Sequence, residues 1–154
     1  MEIIVTSGTG TGRTELGAFD NALWNAGVAN YNLLKMSSIL PPGTKIVLKK
    51  PVLKSEEYGH RLYVVLSERR ESTPGKIACA SLGWYLQQDG RGVLVEYNGN
   101  SVTEAKKKLI DTLQDLADTR GIKGVEFKTK IASIKCTGRP VCAIVAAIYQ
   151  SQPW

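Results

Sequence analysis

Two segments of the chain repeat apolar residues at the three- and four-residue spacing of an amphipathic α-helix. The first segment begins at Thr14, which is a suitable N-cap, and ends at Gly27. The second begins with a capping box formed by Ser101 and Glu104 and ends at Gly121. The apolar stripes comprise Leu16, Phe19, Leu23 and Ala26 in the first helix, and Val102, Ala105, Leu109, Leu113, Leu116 and Ala117 in the second. Each helix has a single stripe, so we expect both to cover a sheet.

The other apolar segments have the β-branched composition of strands and are separated by glycine, proline and polar turns. We expect strands over residues 2–6, 31–36, 45–48, 58–67, 75–87, 92–97, 125–136 and 141–149. The last of these is apolar enough to lie in the centre of a sheet. The pattern therefore predicts one α+β domain over residues 1–154. Its expected architecture is an αββα-type sandwich of mostly antiparallel sheets with covering helices.

A glycine-rich segment, Ser7 to Gly12, separates the first expected strand from the first helix. Glycine-rich loops in this position bind nucleotide phosphates in several folds. Here Arg13 stands where the dinucleotide pattern has its third glycine, and the Gly-Lys-Ser/Thr ending of a P-loop is missing. The segment therefore predicts a flexible turn and not a phosphate site.

The composition narrows the class of protein. Hydrophobic residues make up 43% and charged residues 22% of the 154 residues, which is typical of a globular domain. No apolar run approaches the roughly 20 residues of a membrane span, so we expect a soluble, cytoplasmic protein. The net charge of +6 raises the question of a nucleic-acid partner, but the spread of the lysines favours solvated surface charge. Three unpaired cysteines and one histidine, His60, predict neither disulfides nor a metal site.

Two adjacent serines, Ser37 and Ser38, stand directly before the sequence Ile39-Leu40-Pro41-Pro42. The prolines exclude a helix and fix a bend. The hydroxyls of paired serines before such a turn usually do no more than form hydrogen bonds with nearby backbone groups. A serine hydroxyl held in a tight bend can, however, attack the carbonyl carbon of the preceding residue when an oxyanion donor is near. In that case the protein backbone itself is the substrate.

These serines belong to a longer pattern that resembles the pyruvoyl-dependent arginine decarboxylase family. The pattern precedes the serines as Glu15-Leu16-x-Ala18-Phe19-Asp20-x-Ala22-Leu23-x-Asn25-Ala26-Gly27-x-x-Asn30-x-Asn32-Leu33. Two later segments, residues 92–97 and 142–147, are also similar to that family. The resemblance covers nearly the whole chain, and the first block with its paired serines is highly specific.

The resemblance implies an enzyme that makes its own cofactor. The hydroxyl of Ser38 would attack the carbonyl of Ser37, and this autocatalytic serinolysis would cut the zymogen into residues 1–37 and 38–154. Ser38 would become a covalent pyruvoyl group, with no pyridoxal phosphate and no metal. L-arginine would form a Schiff base with this group and lose CO2 to give agmatine, a reaction of polyamine biosynthesis.

The resemblance also assigns catalytic residues by position. Glu96 matches the family glutamate that reprotonates the carbanion, and a carboxyl group with that role needs a desolvated site. Asn32 matches the asparagine near the scissile carbonyl, where its side-chain amide would stabilise the oxyanion of processing.

Five further positions match the substrate pocket of the family. Asp20 would receive the guanidinium group of arginine, because a carboxylate can bind that planar fork with both oxygens. Leu16 and Leu23, one turn to either side, would contact the aliphatic stem. Ala29 and Tyr31 fall at pocket-lining positions, and Tyr31 is larger than the residue expected there.

Members of the family assemble as trimers or as dimers of trimers, with active sites between neighbouring protomers. The resemblance therefore implies a homo-oligomer of cleaved protomers, in which Asp20 and Ser38 can come from different copies. Three alternatives stay open at this point. They are a pyruvoyl-dependent decarboxylase of another amino acid, a family relative without activity, and a non-enzymatic basic module that binds nucleic acid.

Overall fold

The computed structural model describes all residues from Met1 to Trp154 and contains two sheets and two α-helices. The helices are α1 (Glu15–Ala26) and α2 (Val102–Thr119), and a single 3-10 turn covers Ser55–Glu57. The strands are β1 (Glu2–Thr11), β2 (Asn32–Lys35), β3 (Ile39–Leu40), β4 (Lys45–Leu48), β5 (Arg61–Glu71), β6 (Ile77–Leu86), β7 (Gly92–Gly99), β8 (Lys128–Lys135) and β9 (Val141–Gln152).

The strands form a five-stranded sheet in the order β2-β5-β9-β1-β4 and a four-stranded sheet in the order β3-β7-β6-β8. The edge pairs β1–β4 and β2–β5 are parallel, whereas the other pairs are antiparallel. The last long strand, β9, lies in the middle of the five-stranded sheet, and most of its side chains are buried. The expected mostly antiparallel sheets and the central final strand are both confirmed.

Three apolar clusters define the layers of the molecule. The largest lies between the sheets and includes Val5, Leu82 and Val145. A second lies between α1 and the outer face of the five-stranded sheet, and a third between α2 and the outer face of the four-stranded sheet. The layer order is therefore helix, sheet, sheet, helix, which confirms the predicted αββα sandwich. Neither helix combines the length and the apolar character that a bilayer span requires.

The glycine-rich segment is not a flexible turn. Strand β1 continues without a break to Thr11 and pairs with β9 along this part. A Cβ atom at Gly10 would lie 2.4 Å from the carbonyl oxygen of Ala18 and 2.5 Å from the backbone nitrogen of Ala22. Gly8 and Gly12 meet the α1 backbone just as closely. Alternate glycines thus form a smooth strip on which the helix lies almost in backbone contact.

The same close approach decides which residues of α1 lie at the centre of its buried face. The predicted stripe places Leu16 toward the sheet, but its side chain is 66% exposed. The buried positions are small instead, with Ala18, Ala22 and Ala26 facing the glycines and Leu23 at their margin. Phe19, Leu23 and Ala26 of the predicted stripe do pack against the sheet, so the prediction fails only at Leu16. The separation between helix and sheet is too small for a row of large side chains, so alanines occupy the centre of the contact. The predicted helix ends are confirmed, since Thr14 caps Gly17 and Gly27 has a φ of +78°.

Other differences from the sequence prediction lie at strand ends. The strand expected over residues 58–67 is β5, which begins at Arg61 because the 3-10 turn precedes it, and it continues to Glu71. The short strand β3 was not predicted, because two prolines follow it directly. Helix α2 agrees with the prediction except at Val102, a member of the predicted stripe that is 40% exposed, and the hydroxyl of Ser101 accepts the backbone N–H of Glu104.

The glycine strip yields a test of how α1 is held. Gly10→Ala would force the helix away from the sheet, and we expect it to lower the free energy of unfolding by about 3 kcal/mol, at the upper end of overpacking costs. Urea unfolding measures the change. Thr11→Ala, at an exposed position on the same strand, is the control and should leave stability nearly unchanged. Equal stabilities of the two variants would contradict the close packing.

Candidate active site

The chain passes from one sheet to the other within a single residue, Ser37. Before it, the backbone N–H of Met36 donates to the carbonyl of Val64 on the five-stranded sheet (2.8 Å). After it, the carbonyl of Ser38 accepts the N–H of Leu94 on the four-stranded sheet (2.8 Å). The peptide bond between the two serines therefore lies in the gap between two rigid supports, and Ser37 is exposed to solvent.

The carbonyl group of Ser37 is held in a three-residue turn. Its oxygen accepts the backbone N–H of Ile39 at 3.0 Å, so the turn is centred on Ser38. The expected bend is present, but it lies before β3, whereas the prolines at 41 and 42 follow that strand. The N–H of Ile39 polarises the carbonyl that the proposed processing reaction would attack.

The hydroxyl of Ser38 donates to Oε2 of Glu96 at 2.8 Å. Glu96 lies on β7 and pairs with Leu82 of β6, at a part of β7 that extends beyond the end of β3. That edge of β7 is open, so the exposed Glu96 side chain meets the incoming chain at Ser38. The structure thus brings together the two residues that the sequence places 58 positions apart.

A buried hydroxyl pair fixes β7 next to Glu96. The hydroxyls of Ser67 on β5 and Ser81 on β6 both donate to the carbonyl of Tyr97, at 2.9 and 2.7 Å. Ser67 also accepts the backbone N–H of Ser81 at 3.1 Å. Because Ser67 belongs to the other sheet, these bonds lock the distance between the sheets beside the Glu96 backbone.

Asn32 does not contact the serines by a hydrogen bond in this chain. Its side-chain amide donates to the carbonyl of Gly59 at 2.6 Å, and its backbone N–H donates to His60. Asn32 lies at the start of β2, the strand that leads to Ser37. The donor that reaches the Ser37 carbonyl is the backbone of Ile39, and the oxyanion role of Asn32 stays a prediction.

Asp20 and Leu16 lie together on the solvent side of α1. Leu16 is exposed, and Asp20 makes no hydrogen bond or ion pair with the rest of the chain. Helix α1 covers the five-stranded sheet, whereas Glu96 belongs to the four-stranded sheet and Ser38 leads into it. Leu23, the other predicted contact of the substrate stem, is 9% exposed. Within one chain, the predicted substrate-binding residues Asp20 and Leu16 therefore lie on a different layer from Ser38 and Glu96.

Tyr31 faces a cavity of about 630 Å³ beside the C-terminal end of α1, whereas Ala29 is buried. The hydroxyl of Tyr31 donates to Oε2 of Glu57 at 2.6 Å, and burial together with this carboxylate raises the pKa of Tyr31. Glu57 also pairs with Lys54 at 2.8 Å, and this hydrogen bond, followed by that from Tyr31, lowers the pKa of the carboxyl group. These polar groups satisfy one another, so Tyr31 is fixed in place.

Sequence reasoning missed one side chain at the site, Tyr149. Its hydroxyl donates to the carbonyl of Ile39 at 3.1 Å, directly after the serine pair. Burial, and secondarily the charge of Glu96, raise the pKa of Tyr149 to about 12. The sequence signal is faint, because Tyr149 follows the apolar run of β9 and does not break its pattern. No group of three or more His, Cys, Asp or Glu side chains is arranged to hold a metal ion.

Comparison with known proteins identifies the family of the chain. The sequence model described as pyruvoyl-dependent arginine decarboxylase matches residues 2–153. The chain belongs to this family. Among curated relatives, the pyruvoyl-dependent arginine decarboxylase of Thermococcus sibiricus is 33% identical over 147 residues, covering 94% of this chain and 92% of the relative. Pyruvoyl-dependent arginine decarboxylase 1 of Methanosarcina acetivorans is 34% identical over 155 residues, with coverages of 96% and 94%.

Membership in the pyruvoyl-dependent arginine decarboxylase family makes the chain an enzyme of the lyase class. The family name specifies a pyruvoyl group, and the residues at the sheet crossing fit one derived from Ser38. The hydroxyl of Ser38 is bound by a carboxylate, the preceding carbonyl is polarised by Ile39, and the following carbonyl is held by Leu94. The hydroxyl that would attack, the carbonyl that would be attacked and the carbonyl that follows are therefore each held by a hydrogen bond.

Proposed function

We propose that this enzyme decarboxylates L-arginine to agmatine and CO2 with a pyruvoyl group made from Ser38. The observation that carries the proposal is the hydrogen bond from Ser38 to Glu96, placed where the chain crosses between the sheets. Family membership supports the reaction class, and this geometry supports the roles of Ser38 and Glu96. The relatives from Thermococcus and Methanosarcina bear the name of the same activity.

The first step is cleavage of the bond between Ser37 and Ser38. The hydrogen bond to Glu96 directs the hydroxyl proton of Ser38 away from the chain and leaves the oxygen lone pairs free. A bond forms from Oγ to the Ser37 carbonyl carbon, the bond from that carbon to the Ser38 nitrogen breaks, and the hydroxyl proton ends on this nitrogen. Elimination then removes the Cα proton of residue 38 as the Ser37 carboxylate leaves with the serine oxygen. Water adds to the imine form of the resulting dehydroalanine, which releases ammonia and leaves the ketone.

The two fragments are expected to stay together after cleavage. Residues 1–37 contribute β1, α1 and β2, which are held by β9, β4 and β5 of the larger fragment. Only an exposed crossing is cut, and the sandwich core does not depend on that bond.

For decarboxylation, the pyruvoyl group supplies a carbonyl that accepts electrons as CO2 leaves. Leu94 keeps its N–H on the carbonyl of residue 38, where negative charge is stabilised by a fixed donor. Glu96, whose carboxylate binds the Ser38 hydroxyl before processing, would hold the proton that is delivered to the carbon from which CO2 departs. The basic overall charge slightly opposes the cationic substrate, so attraction comes from the local carboxylates.

The same proposal requires more than one copy of the chain. Glu96 is exposed in the single chain, and a carboxyl group that donates a proton near neutral pH needs water to be excluded. Asp20 is exposed and unpaired on another layer of the molecule. A cyclic trimer, alone or paired into a hexamer, would satisfy both needs by placing Asp20 of one protomer over Ser38 of the next.

Cleavage at the serine pair is the most direct test. We expect the purified protein to consist of residues 1–37 and 38–154, and Ser38→Ala to remain one uncut, inactive chain, because the attacking oxygen is removed. Intact mass spectrometry gives the answer. Ser37→Ala keeps the carbonyl that is attacked and serves as the control, for which cleavage is expected. A wild-type protein that is uncut and fully active would contradict the proposal.

Glu96→Gln separates processing from turnover. Glutamine keeps an oxygen that accepts the hydroxyl of Ser38, so we expect cleavage to persist, whereas kcat should fall by about 100-fold or more because no proton is available. Release of CO2 and the fraction of cleaved chain are measured on the same sample. Asp111→Asn, a charge change on the outer surface of α2, is the control. Normal turnover of Glu96→Gln would remove the proton-donor role.

Asp20→Asn tests the guanidinium site. We expect normal cleavage and a KM for arginine at least about 10-fold higher, because the side chain loses its charge but keeps its shape. With citrulline, whose side chain is neutral, the variant and the wild-type enzyme should differ much less. Asp115→Asn, an exposed aspartate on α2, controls for net charge. An unchanged KM for arginine would exclude Asp20 from substrate binding.

A further inference from the structure

The segment that follows the proposed cleavage site is held weakly by its own strand. Strand β3 has only two residues and lies at the edge of the four-stranded sheet. It pairs with β7 on one side, through Ile39 opposite Val93 and Leu40 opposite Gly92, and it has no partner strand on the other. Short edge strands open readily, because few bonds resist fraying.

A side chain from the other sheet supplies an additional attachment. Tyr149 lies on β9, the central strand of the five-stranded sheet, directly after Ile148, the last residue of β9 that pairs with β1, and at the register shift between β9 and β5. Its ring packs against the cluster between the sheets, and its hydroxyl donates to the carbonyl of Ile39 at 3.1 Å. This is a link between the two sheets within one residue of Ser38.

The hydroxyl of Tyr149 is suited to remain a donor. Burial raises its pKa to about 12, and the charge of Glu96 acts in the same direction. The group is therefore protonated at any pH at which the enzyme would work. Because Glu96 also binds Ser38, the tyrosine, the glutamate and the serine form one continuous cluster around Ile39.

Cleavage would change what restrains residue 38. In the uncut chain it is bonded to Ser37, which continues into Met36 on the five-stranded sheet. After the cut, that covalent link and the turn from Ile39 to the Ser37 carbonyl are no longer a restraint on the new end. What stays is the short pairing of β3, the N–H of Leu94 on the carbonyl of residue 38, and the hydroxyl of Tyr149.

We propose that Tyr149 is a positioning residue that holds the new end of residues 38–154 beside Glu96 once the chain has been cut. The proposal rests on the cleavage described under the proposed function. It assigns Tyr149 no contact with the substrate, and its action on the reaction passes through Ile39. Its structural basis is the link from the central strand of one sheet to the carbonyl that follows the pyruvoyl position in the other.

Hydrogen–deuterium exchange at the Leu94 amide tests this role without measuring activity. In cleaved protein, Tyr149→Phe keeps the ring and removes one hydrogen bond, so we expect exchange about fivefold faster than in wild type. In an uncut Ser38→Ala background, the same substitution should change the exchange much less, because residue 38 is still tied to Ser37. Tyr63→Phe, which removes an exposed hydroxyl bonded to Gln152 at 2.8 Å, is the matched control.

Kinetics of the cleaved variant add a second readout. We expect Tyr149→Phe to lower kcat by about tenfold, because the reacting group is less well placed, and to leave the KM for arginine unchanged. If cleaved Tyr149→Phe protein exchanges its Leu94 amide at the wild-type rate, this proposal is overturned and the proposed function is not. Equal acceleration in the cut and uncut backgrounds also overturns this proposal. An uncut wild-type chain, recognised by intact mass, overturns the proposed function and this proposal with it.

Discussion

The site depends on one constraint, the passage of the chain between two sheets across a single residue. Met36 is still bound to the five-stranded sheet, and the carbonyl of Ser38 is already bound to the four-stranded sheet. The peptide between them has no neighbour to pair with, so it turns on itself through the N–H of Ile39. The same crossing directs the Ser38 hydroxyl to the open edge of β7, where Glu96 lies.

The fold was predictable from the sequence wherever the residues of one element are enough to specify that element. Helix α2 has a capping serine and a stripe of large apolar residues, and both features function as the sequence indicates. The segment from Ser7 to Gly12 was wrongly predicted, because glycine has low strand propensity when it is considered alone. There the requirement comes from α1, whose backbone lies too close to β1 for a side chain at Gly8, Gly10 or Gly12. Such a tertiary requirement is invisible in a local pattern.

The site was predictable in its residue types but not in its arrangement. Ser38 and Glu96 follow from the resemblance to the family, and the structure joins them by a hydrogen bond. The donors at the serine pair are backbone groups of Ile39 and Leu94, which any residue except proline provides, so no sequence signal identifies them. Tyr149 reaches Ile39 from 110 positions away, which only the pairing of the sheets determines.

The exposure of Glu96 and Asp20, the two charged residues with proposed roles, supports the proposal that the working enzyme has more than one copy of the chain. A proton donor must be desolvated to hold its proton, and a guanidinium site gains strength when water is excluded, but Glu96 and Asp20 are both open to solvent in one chain. Leu16, beside Asp20, exposes two thirds of an apolar side chain, and Ile39, beside Ser38, exposes 57%. Covering each apolar residue would also cover its charged or reactive neighbour. Association of protomers would therefore be stabilised by the same contacts that complete the proposed site.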